Sequence, residues 1–449
     1  MFEGSVAQLL WRLALPIYLG MLFWVVYTIT DIYWISRINP ADPAIVAGVS
    51  LVMPVYMLAF AISNGLLNGV KSLVARAVGA DNQRTLNEVA AAGLLLAAGL
   101  AGVFLVAGYA FPIELSEALG AKGALSVPAQ DFLLSILPAA ALLFFFNVLS
   151  GIAQGEGQMR LVMHAMGVGV GLNLVLDPLF IFGFEWGVTG AGWATSIAQA
   201  ASLVYLALRF RKARLRVPLR IDLHRAEPAT MAKILRVGLP QGMAEILVAC
   251  FLLTLNWVVV TVDPKAMTAF GLCARVDQVV LLSLAALASA VLTAVAQNAG
   301  RGNFQRVRAL LVQAMWLGAG FVLLQAAILY GVAPRVYGLL SDVPQVVEYA
   351  VLQTRIIAFF YTFAAITLVS QAFFLALGHP WPGIAIQFAK MFVVSLPVAL
   401  ALVLILGWGM PGVWLGMIIG EVVAAILSVY WAFAVLRQLA RGQLRIAAS

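Results

Sequence analysis

The chain alternates between long apolar stretches and short polar connections, and this pattern predicts its secondary structure. Each apolar stretch provides about 20 mostly apolar residues, the length that a helix needs to cross the hydrocarbon core of a bilayer. Gly- and Pro-containing turns separate the stretches. The sequence therefore predicts an all-α membrane protein with twelve transmembrane helices, which are centred near Phe23, Leu58, Ala98, Ala141, Val170, Ser202, Ala249, Leu282, Leu317, Ala364, Leu396 and Ala425.

The composition supports a location in the membrane. Hydrophobic residues make up 63% of the chain and charged residues only 10%, whereas a soluble domain has roughly 25% charged residues. In such a protein the formal net charge of +8 is typical of basic cytoplasmic loops rather than of nucleic-acid binding. Cys250 and Cys273 lie in apolar runs and provide neither a metal-binding pattern nor a disulfide framework. We therefore expect the lipid bilayer, and no nucleic acid, as a partner.

Lys and Arg residues are distributed unequally between the two sets of connections. With both termini placed in the cytoplasm, twenty of these residues fall on the inner side. The outer side then has only Arg37, Lys122, Lys265 and Arg335. Because basic residues accumulate in cytoplasmic loops, the sequence predicts a multi-pass protein of the plasma (inner) membrane with both termini cytoplasmic.

The second half of the chain repeats the first. LP at 15–16 recurs at 239–240, VARAVGADNQR from Val74 resembles VAQNAGRGNFQR from Val295, and GVTG from Gly187 resembles GMPG from Gly409. The spacing of these pairs, 221 to 224 residues, indicates two six-helix units inserted with the same topology. We expect an N-terminal lobe at 1–209, a basic cytoplasmic linker at 210–235 and a C-terminal lobe at 236–449. Two pseudo-symmetric bundles around a central cavity are typical of an alternating-access carrier.

Ionisable residues inside the predicted helices are candidates for function, because each costs about 2.5–3.5 kcal/mol to insert. In GLNLVLDPLFIFG, residues 171–183, Asp177 is followed by Pro178, which leaves the carbonyl of Leu174 without a helical donor. Asp31, Asp177 and Thr195 each lie about five to seven residues from the predicted outer ends of their helices. At 1.5 Å per residue, all three reach the same depth of roughly 8–10 Å.

Asn173 precedes Asp177 by four residues and shares its helix face. We therefore predict one polar cluster of Asp31, Asn173, Asp177 and Thr195 in the N-terminal lobe. Two carboxylates at close range either hold a proton or bind a hard cation through oxygen ligands, so this cluster is a candidate ion-coupling site for H⁺ or Na⁺. The alternative is that each carboxylate is structural and hydrogen-bonded to its neighbours.

A second set of polar and aromatic residues is a candidate substrate site. Glu245 in the seventh helix could bind a second ion or a cationic substrate, or it could pair structurally with Arg275 or Lys390. For Glu421 we expect pairing with a base or the backbone. Tyr27, Met53 and Tyr361 belong to an aromatic and Met-rich set that suits bulky amphipathic ligands, although most members of such a set are ordinary packing residues.

Several motifs together resemble the MATE family of multidrug and toxic compound extrusion antiporters, over essentially the whole chain. They are LALP at 13–16, Asp31 late in the first helix, ARAVGADN at 75–82, AQGEGQMR at 153–160 and NLVLDPLFIFGFEWGVTGAGWATSIAQ at 173–199. The resemblance implies export of small organic, often cationic, compounds in exchange for inward H⁺ or Na⁺, with no cofactor. In the DinF-like branch it also implies an ion site at Asp31, Asn173, Asp177 and Thr195.

The sequence departs from the NorM-like branch of the same family. That branch pairs an acid of the seventh helix with an acid of the tenth. Glu245 matches the first, but the tenth helix around Ala364 contains no acid. The chain is thus nearer the DinF-like branch, and no Na⁺ site is expected in the C-terminal lobe.

Other functions fit the sequence less well. A flippase for a lipid-linked or amphipathic metabolite would need a cationic cavity for pyrophosphate, whereas Arg275, Arg355 and Lys390 do not obviously cluster. An intramembrane enzyme would need a nucleophile–base pair or a metal motif, and the helices contain neither. A channel would more naturally be a symmetric oligomer of a shorter chain, whereas this chain is expected to work as a monomer.

Overall fold

The computed structural model describes residues 1–39, 43–212, 215–216 and 222–443. Within them, twelve helices are long and apolar enough to cross a membrane, and we number these α1–α12. Their bounds are Val6–Ser36, Ala44–Gly79, Gln83–Ala110, Gly123–Gly155, Met159–Gly183, Gly187–Phe210, Pro228–Val262, Lys265–Gly300, Phe304–Leu340, Pro344–Ala376, Trp381–Ile405 and Met410–Ala440.

The prediction of an all-α membrane protein with twelve spanning helices in two six-helix halves is confirmed. Every predicted centre lies inside a helix. The first helix ends at Ser36, the fifth ends at Gly183, and the sixth begins at Gly187. These ends agree with those from which the depths of Asp31, Asp177 and Thr195 were predicted. The length of the apolar stretches therefore located these helices. A segment that crosses lipid must form a helix, because only then do its backbone polar groups hydrogen-bond to each other within the segment.

The helices fall into two compact units. One unit, here the N-unit, comprises Pro16–Gly242, and the other, here the C-unit, comprises Met1–Leu15 and Met243–Ser449. The divisions fall inside α1 and α7 rather than in the linker. The lobe boundaries drawn from the sequence, 1–209 and 236–449, stay a prediction, and part of the predicted linker lies outside the described residues.

Within the N-unit, α2 and the first part of α7 cross at very short range. Gly65 and Gly69 of α2 form a GxxxG motif, and Gly238 and Gly242 of α7 form another. A Cβ on Gly65 would lie 2.6 Å from the carbonyl oxygen of Gly238, and a Cβ on Gly238 would lie 2.5 Å from that of Gly65. Such backbone contact requires glycine on both sides, as in other membrane-helix pairs built on small residues.

Polar contacts tie short segments to each unit. In the N-unit, Arg216 of the linker forms an ion pair with Asp81, and its backbone N–H donates to Glu156 over 2.8 Å. In the C-unit, the Arg306 guanidinium donates to the carbonyl oxygens of Met1, Glu3 and Gly4 over 2.9–3.2 Å. Backbone groups outside the helices are thereby satisfied.

Two of the N-unit helices carry a proline and a local irregularity near the predicted cluster. After Pro178, α5 ends in a π-helical turn, Leu179–Gly183. In α4, next to Pro138, the Ser196 hydroxyl of α6 accepts from the Ala139 N–H over 3.1 Å and donates to the Ser135 carbonyl over 2.8 Å. Ser196 thus bonds two backbone groups that face each other along α4, and a side chain inserted at such a point is a recognised cause of helix bending.

Candidate functional site

The four residues of the predicted ion cluster are all buried in the N-unit. The exposed fractions are 3% for Asp31, 1% for Asn173, 0% for Asp177 and 5% for Thr195. The carboxylate of Asp31 lies close enough to that of Asp177 for electrostatic interaction. The phenol of Tyr27 lies near both carboxylates and is hydrogen-bonded to Thr195. The structure thus brings together side chains from α1, α5 and α6, and adds Tyr27 to them.

Two hydrogen bonds order this cluster. Asn173 Nδ2 donates to Asp177 Oδ1 over 3.0 Å, one helical turn along α5. The hydroxyls of Tyr27 and Thr195 lie 3.2 Å apart and share a hydrogen bond that links α1 to α6. These bonds orient the side chains of Asp177 and Thr195. The sequence predicted only how far along its helix each of these residues lies.

Several oxygens of the cluster lack a donor. Asp31 Oδ1, Asn173 Oδ1 and Asp177 Oδ2 are buried and have no hydrogen-bond partner among the residues that the structure describes. Within the same residues, neither carboxylate forms an ion pair with Lys, Arg or His. Buried acceptors are normally satisfied. Three such oxygens on neighbouring side chains form a site whose chemistry suits protons or a hard cation.

The backbone around the cluster is held by close packing of α5 on α6. A Cβ on Gly190 would lie 2.8 Å from the carbonyl oxygen of Phe180, within the π-helical turn that follows Pro178. Ser196, adjacent to Thr195, anchors α6 to α4 through its two hydrogen bonds. These contacts fix the position of Asp177 relative to Thr195, because both residues lie within two turns of an anchored backbone group.

A cavity of about 120 Å³ opens beside the cluster in the N-unit. Asn173, Thr195 and Tyr27 contribute to its wall, so the cluster and the cavity share residues. The rest of the wall is mainly aromatic and apolar with a few amides: Trp24, Tyr56, Phe60, Leu143, Phe146, Asn147, Met166, Gly169, Val170, Ala198, Gln199 and Ser202. Sequence reasoning missed the amides Asn147 and Gln199, although polar residues in helices this apolar are themselves a signal.

The other predicted substrate residues are not part of this cavity. Met53 packs against an apolar cluster of the N-unit that includes Val52 and Phe132. Glu245 and Tyr361 both belong to the C-unit, where Tyr361 packs against an apolar cluster that includes Val280 and Leu284. Of the predicted substrate set, the structure therefore places only Tyr27 beside the ion cluster.

An intramembrane ion pair in the C-unit accounts for two of the remaining charges. Lys390 Nζ of α11 lies 2.9 Å from Glu421 Oε2 of α12, and both side chains are largely buried. This contact confirms the expected pairing of Glu421 with a base. It also shows that Lys390 pairs with Glu421, rather than with Glu245 as the structural alternative for Glu245 allowed.

We expect Glu421→Gln to destabilise the protein, because it leaves the Lys390 ammonium without its carboxylate. The free energy of unfolding should fall by about 1.5–3 kcal/mol, the usual contribution of a hydrogen bond to a charged group. Thermal unfolding in detergent measures this. The double variant Lys390→Met/Glu421→Leu should recover most of the loss, since an apolar pair can replace a buried ion pair; a double variant as unstable as Glu421→Gln would contradict the assignment.

Comparison with known protein families and proteins gives a consistent set of similarities. A sequence model of the family described as MatE matches residues 16–179 and 240–401, one segment in each half of the chain. Multidrug export protein MepA of Staphylococcus aureus (strain NCTC 8325 / PS 47) is 26% identical over 352 residues, which cover 78% of this chain and 77% of MepA. The probable multidrug resistance protein YpnP of Bacillus subtilis (strain 168) is 25% identical over 395 residues, 88% of each chain.

Solved structures match over almost the full length. The MATE transporter ClbM in complex with Rb⁺ is 33% identical with a TM-score of 0.88, over 98% of each chain. An outward-facing multidrug resistance MATE family transporter of the MOP superfamily is 26% identical with a TM-score of 0.90, also over 98% of each chain. A MOP superfamily transporter from Pyrococcus furiosus Vc1 is 27% identical with a TM-score of 0.89, over 98% of each chain.

Proposed function

This chain belongs to the MATE family of multidrug efflux transporters, and on that basis we propose that it exports organic, often cationic, compounds in exchange for inward H⁺ or Na⁺. The proposed cycle is alternating access, in which the same sites open in turn to either side of the membrane. The proposed orientation places both termini in the cytoplasm of a plasma (inner) membrane, and the proposed functional unit is a monomer.

One observation carries this proposal: the buried oxygens of Asp31, Asn173 and Asp177 that have no hydrogen-bond partner among the described residues. A ligand can shift a conformational equilibrium only through a difference in its affinity for the two states. A proton or Na⁺ bound among these oxygens satisfies them and neutralises a carboxylate, which makes one state more favourable. This is the property that a coupling site needs. The complex of ClbM with Rb⁺ supports cation binding in this family.

The driving force depends on how many ions enter per cycle. One charge moving inward gains about 2.3 kcal/mol per 100 mV, and a tenfold ion gradient adds about 1.4 kcal/mol. If one monovalent cation leaves for each ion that enters, the voltage contributions cancel. Strong export of a cation then needs either two ions per cycle or a steep pH gradient, and the two carboxylates of the cluster allow either.

The aromatic cavity is the proposed contact for the substrate. Trp24, Tyr27 and Tyr56 contribute to its wall, and aromatic faces attract organic cations. Its volume of about 120 Å³ is comparable to the roughly 150 Å³ cavity that holds benzene in a protein interior. It therefore suits one aromatic ring of a larger drug. Because Asn173 and Thr195 belong both to this cavity and to the ion cluster, a bound ring and a bound ion compete for the same residues.

The proposed position within the family is nearer the DinF-like branch. Its support is the coincidence of Asp31, Asn173, Asp177 and Thr195 in one buried cluster, while the tenth helix has no acid to pair with Glu245.

Efflux from proteoliposomes tests the function. Purified protein is reconstituted, and transport of ethidium, an aromatic cation, is followed under an imposed pH gradient, an imposed Na⁺ gradient, or neither. We expect movement against the ethidium gradient with at least one of the two ion gradients. Equal flux with and without both gradients would contradict ion-coupled antiport, and translocation of a fluorescent lipid-linked sugar in place of ethidium would favour the flippase alternative.

A further inference from the structure

One face of α12 carries a row of exposed apolar side chains that ends in two arginines. Spacings of four, three, four and four residues place five side chains on this face: Ile426, Tyr430, Phe433, Arg437 and Arg441. The exposed fraction is 63% for Ile426 and 76% for Tyr430. Both arginines are exposed, and Phe433 is partly buried. These five residues, here the α12 stripe, therefore form an open face of the C-unit.

An aromatic residue marks the level at which this face leaves the hydrocarbon of the membrane. Tyr430 lies twenty residues after Met410, where α12 begins, and Trp408 lies just before that point. At 1.5 Å per residue, the distance from Met410 to Tyr430 is about 30 Å, the thickness of the hydrocarbon core of a bilayer. Trp and Tyr side chains concentrate at the two membrane–water interfaces. Tyr430 therefore lies at an interface, with Ile426 among the lipid tails and the arginines beyond them.

The geometry of the helix directs the arginines back toward the bilayer. Every Cα–Cβ bond of an α-helix tilts toward the helix N-terminus, and at this end of α12 that is the direction of Tyr430. Arg437 follows Tyr430 by seven residues, or about 10 Å along the axis. The two headgroup layers together add about 10–15 Å to the hydrocarbon core. A long side chain that leans back from this position reaches the level of the lipid phosphates.

A turn after α12 closes this end of the stripe. Gly442 has a φ of +66°, a left-handed conformation that favours glycine. The turn lets the Gln443 N–H donate to the Gln438 carbonyl over 3.0 Å. Gln443 thereby joins Tyr430 and both arginines along one groove of about 440 Å³. A groove with an aromatic wall toward the lipid tails and guanidinium and amide donors at its far end matches the polarity of a phospholipid.

The charge of the two arginines is uncompensated in the described part of the chain. No Asp or Glu there forms an ion pair with Arg437 or Arg441. The sequence contains no acid after Glu421, and Glu421 pairs with Lys390 over 2.9 Å. A guanidinium binds phosphate oxygens through parallel N–H donors. Two of them one helical turn apart therefore favour a phosphate group.

We propose that the α12 stripe binds one anionic phospholipid, with its phosphate between Arg437 and Arg441 and an acyl chain along Tyr430 and Ile426. A zwitterionic phospholipid would bring its own cation next to two guanidiniums, so it binds more weakly. In the proposed orientation this end of α12 is cytoplasmic, where basic groups at the membrane surface attract anionic lipids. The inference does not depend on antiport, because the site binds a lipid whichever ion or substrate the protein carries.

Lipid titration of the delipidated full-length protein in neutral detergent tests the proposal. Phosphatidylglycerol and phosphatidylcholine with the same acyl chains are added separately, and bound lipids are counted by native mass spectrometry. We expect Arg437→Gln/Arg441→Gln to weaken phosphatidylglycerol binding about 25-fold, because each basic residue near an anionic lipid contributes about fivefold. Phosphatidylcholine binding should not change.

A second pair of substitutions controls for the loss of charge. Arg160→Gln/Arg308→Gln removes two exposed basic residues, one from α5 and one from α9, on the same predicted side of the membrane. This variant should bind phosphatidylglycerol as tightly as wild type does. Equal affinity of wild type and Arg437→Gln/Arg441→Gln would overturn the proposal. An equal loss in the two double variants would also overturn it, because it would show an effect of net charge alone.

A charge-retaining variant separates binding from damage to the helix. Arg437→Lys/Arg441→Lys keeps both charges but loses the planar donors, so its affinity for phosphatidylglycerol should lie between those of wild type and the Gln variant. Because both side chains are exposed, all variants should have the wild-type Tm in the absence of lipid. A Lys variant that binds no better than the Gln variant would contradict a site for an anion.

Competition distinguishes a lipid site from a site for free phosphate. Inorganic phosphate and glycerol 3-phosphate lack the acyl chain that contacts Tyr430 and Ile426, so neither should displace phosphatidylglycerol when present at equal concentration. Displacement by inorganic phosphate would show an anion site without lipid specificity and would contradict the proposal. None of these measurements uses transport, so failure of this inference and failure of ion-driven ethidium efflux are separate results.

Discussion

Replacing Asp177 by Asn is expected to reduce ion-driven ethidium efflux from proteoliposomes to the level of protein-free liposomes. Asn has nearly the same shape as Asp but cannot take up a proton, and it is a weaker cation ligand. The Asn173 Nδ2 hydrogen bond retains an oxygen acceptor in this variant, so the local structure should persist. Without differential ion binding the gradient cannot favour one state over the other. Asp31→Asn should have the same effect, because its carboxylate lies in the same cluster.

Stability distinguishes loss of coupling from loss of folding. A buried carboxylate without a counter-ion destabilises the folded state, so Asp177→Asn should unfold at the same Tm as wild type or higher. The matched control is Asp131→Asn, an exposed acid at the start of α4, which should leave both efflux and Tm unchanged. Gradient-driven efflux that survives in both Asp31→Asn and Asp177→Asn would reject the coupling site.

Replacing Gly65 by Ala is expected to cause a large loss of stability. The added Cβ would lie 2.6 Å from the carbonyl oxygen of Gly238, a backbone atom that cannot rotate away, so α2 and α7 must move apart. Overpacking of this kind costs about 1–3 kcal/mol, and the reciprocal change Gly238→Ala should cost a similar amount. Thermal unfolding in detergent and the yield of monodisperse protein measure both variants.

Gly99 and Gly102 in α3 are the controls for that prediction. A Cβ at either position meets no atom within 4 Å. Because Ala is a better helix former than Gly by about 1 kcal/mol, Gly99→Ala should be neutral or stabilising. Equal Tm values for Gly65→Ala and Gly99→Ala would show that the α2–α7 crossing tolerates a side chain and would contradict the close contact.

The sequence predicted those parts of the structure that depend on distance along a helix. Twenty-residue apolar stretches locate the spanning helices because lipid leaves no other way to satisfy the backbone. The fixed rise per residue placed Asp31, Asp177 and Thr195 at one depth. Both inferences use properties of a single helix, and neither needs to know which helices are neighbours.

Several contacts between helices were not predicted. The Tyr27–Thr195 hydrogen bond depends on how α1 faces α6, which a periodic pattern does not specify. The GLLNG sequence of α2 and the GLPQG sequence of α7 can each be recognised as a small-residue motif. Neither sequence indicates that the other is its packing partner. Likewise, Lys71 and Arg76 are fully buried in the last turns of α2. From their charges, the sequence predicted only that they lie on the cytoplasmic side, and it did not predict this burial.

The hydroxyl of Ser196 within the backbone ladder of α4 has a mechanical consequence. A helix that flexes in lipid usually exposes a carbonyl and an amide to hydrocarbon, which is unfavourable. Here the Ser135 carbonyl and the Ala139 amide are already bridged by a side chain that can rotate. The two halves of α4 can therefore bend relative to each other while both backbone groups keep a hydrogen-bond partner. Because the bridging Ser196 belongs to α6, such a bend would also displace its neighbour Thr195.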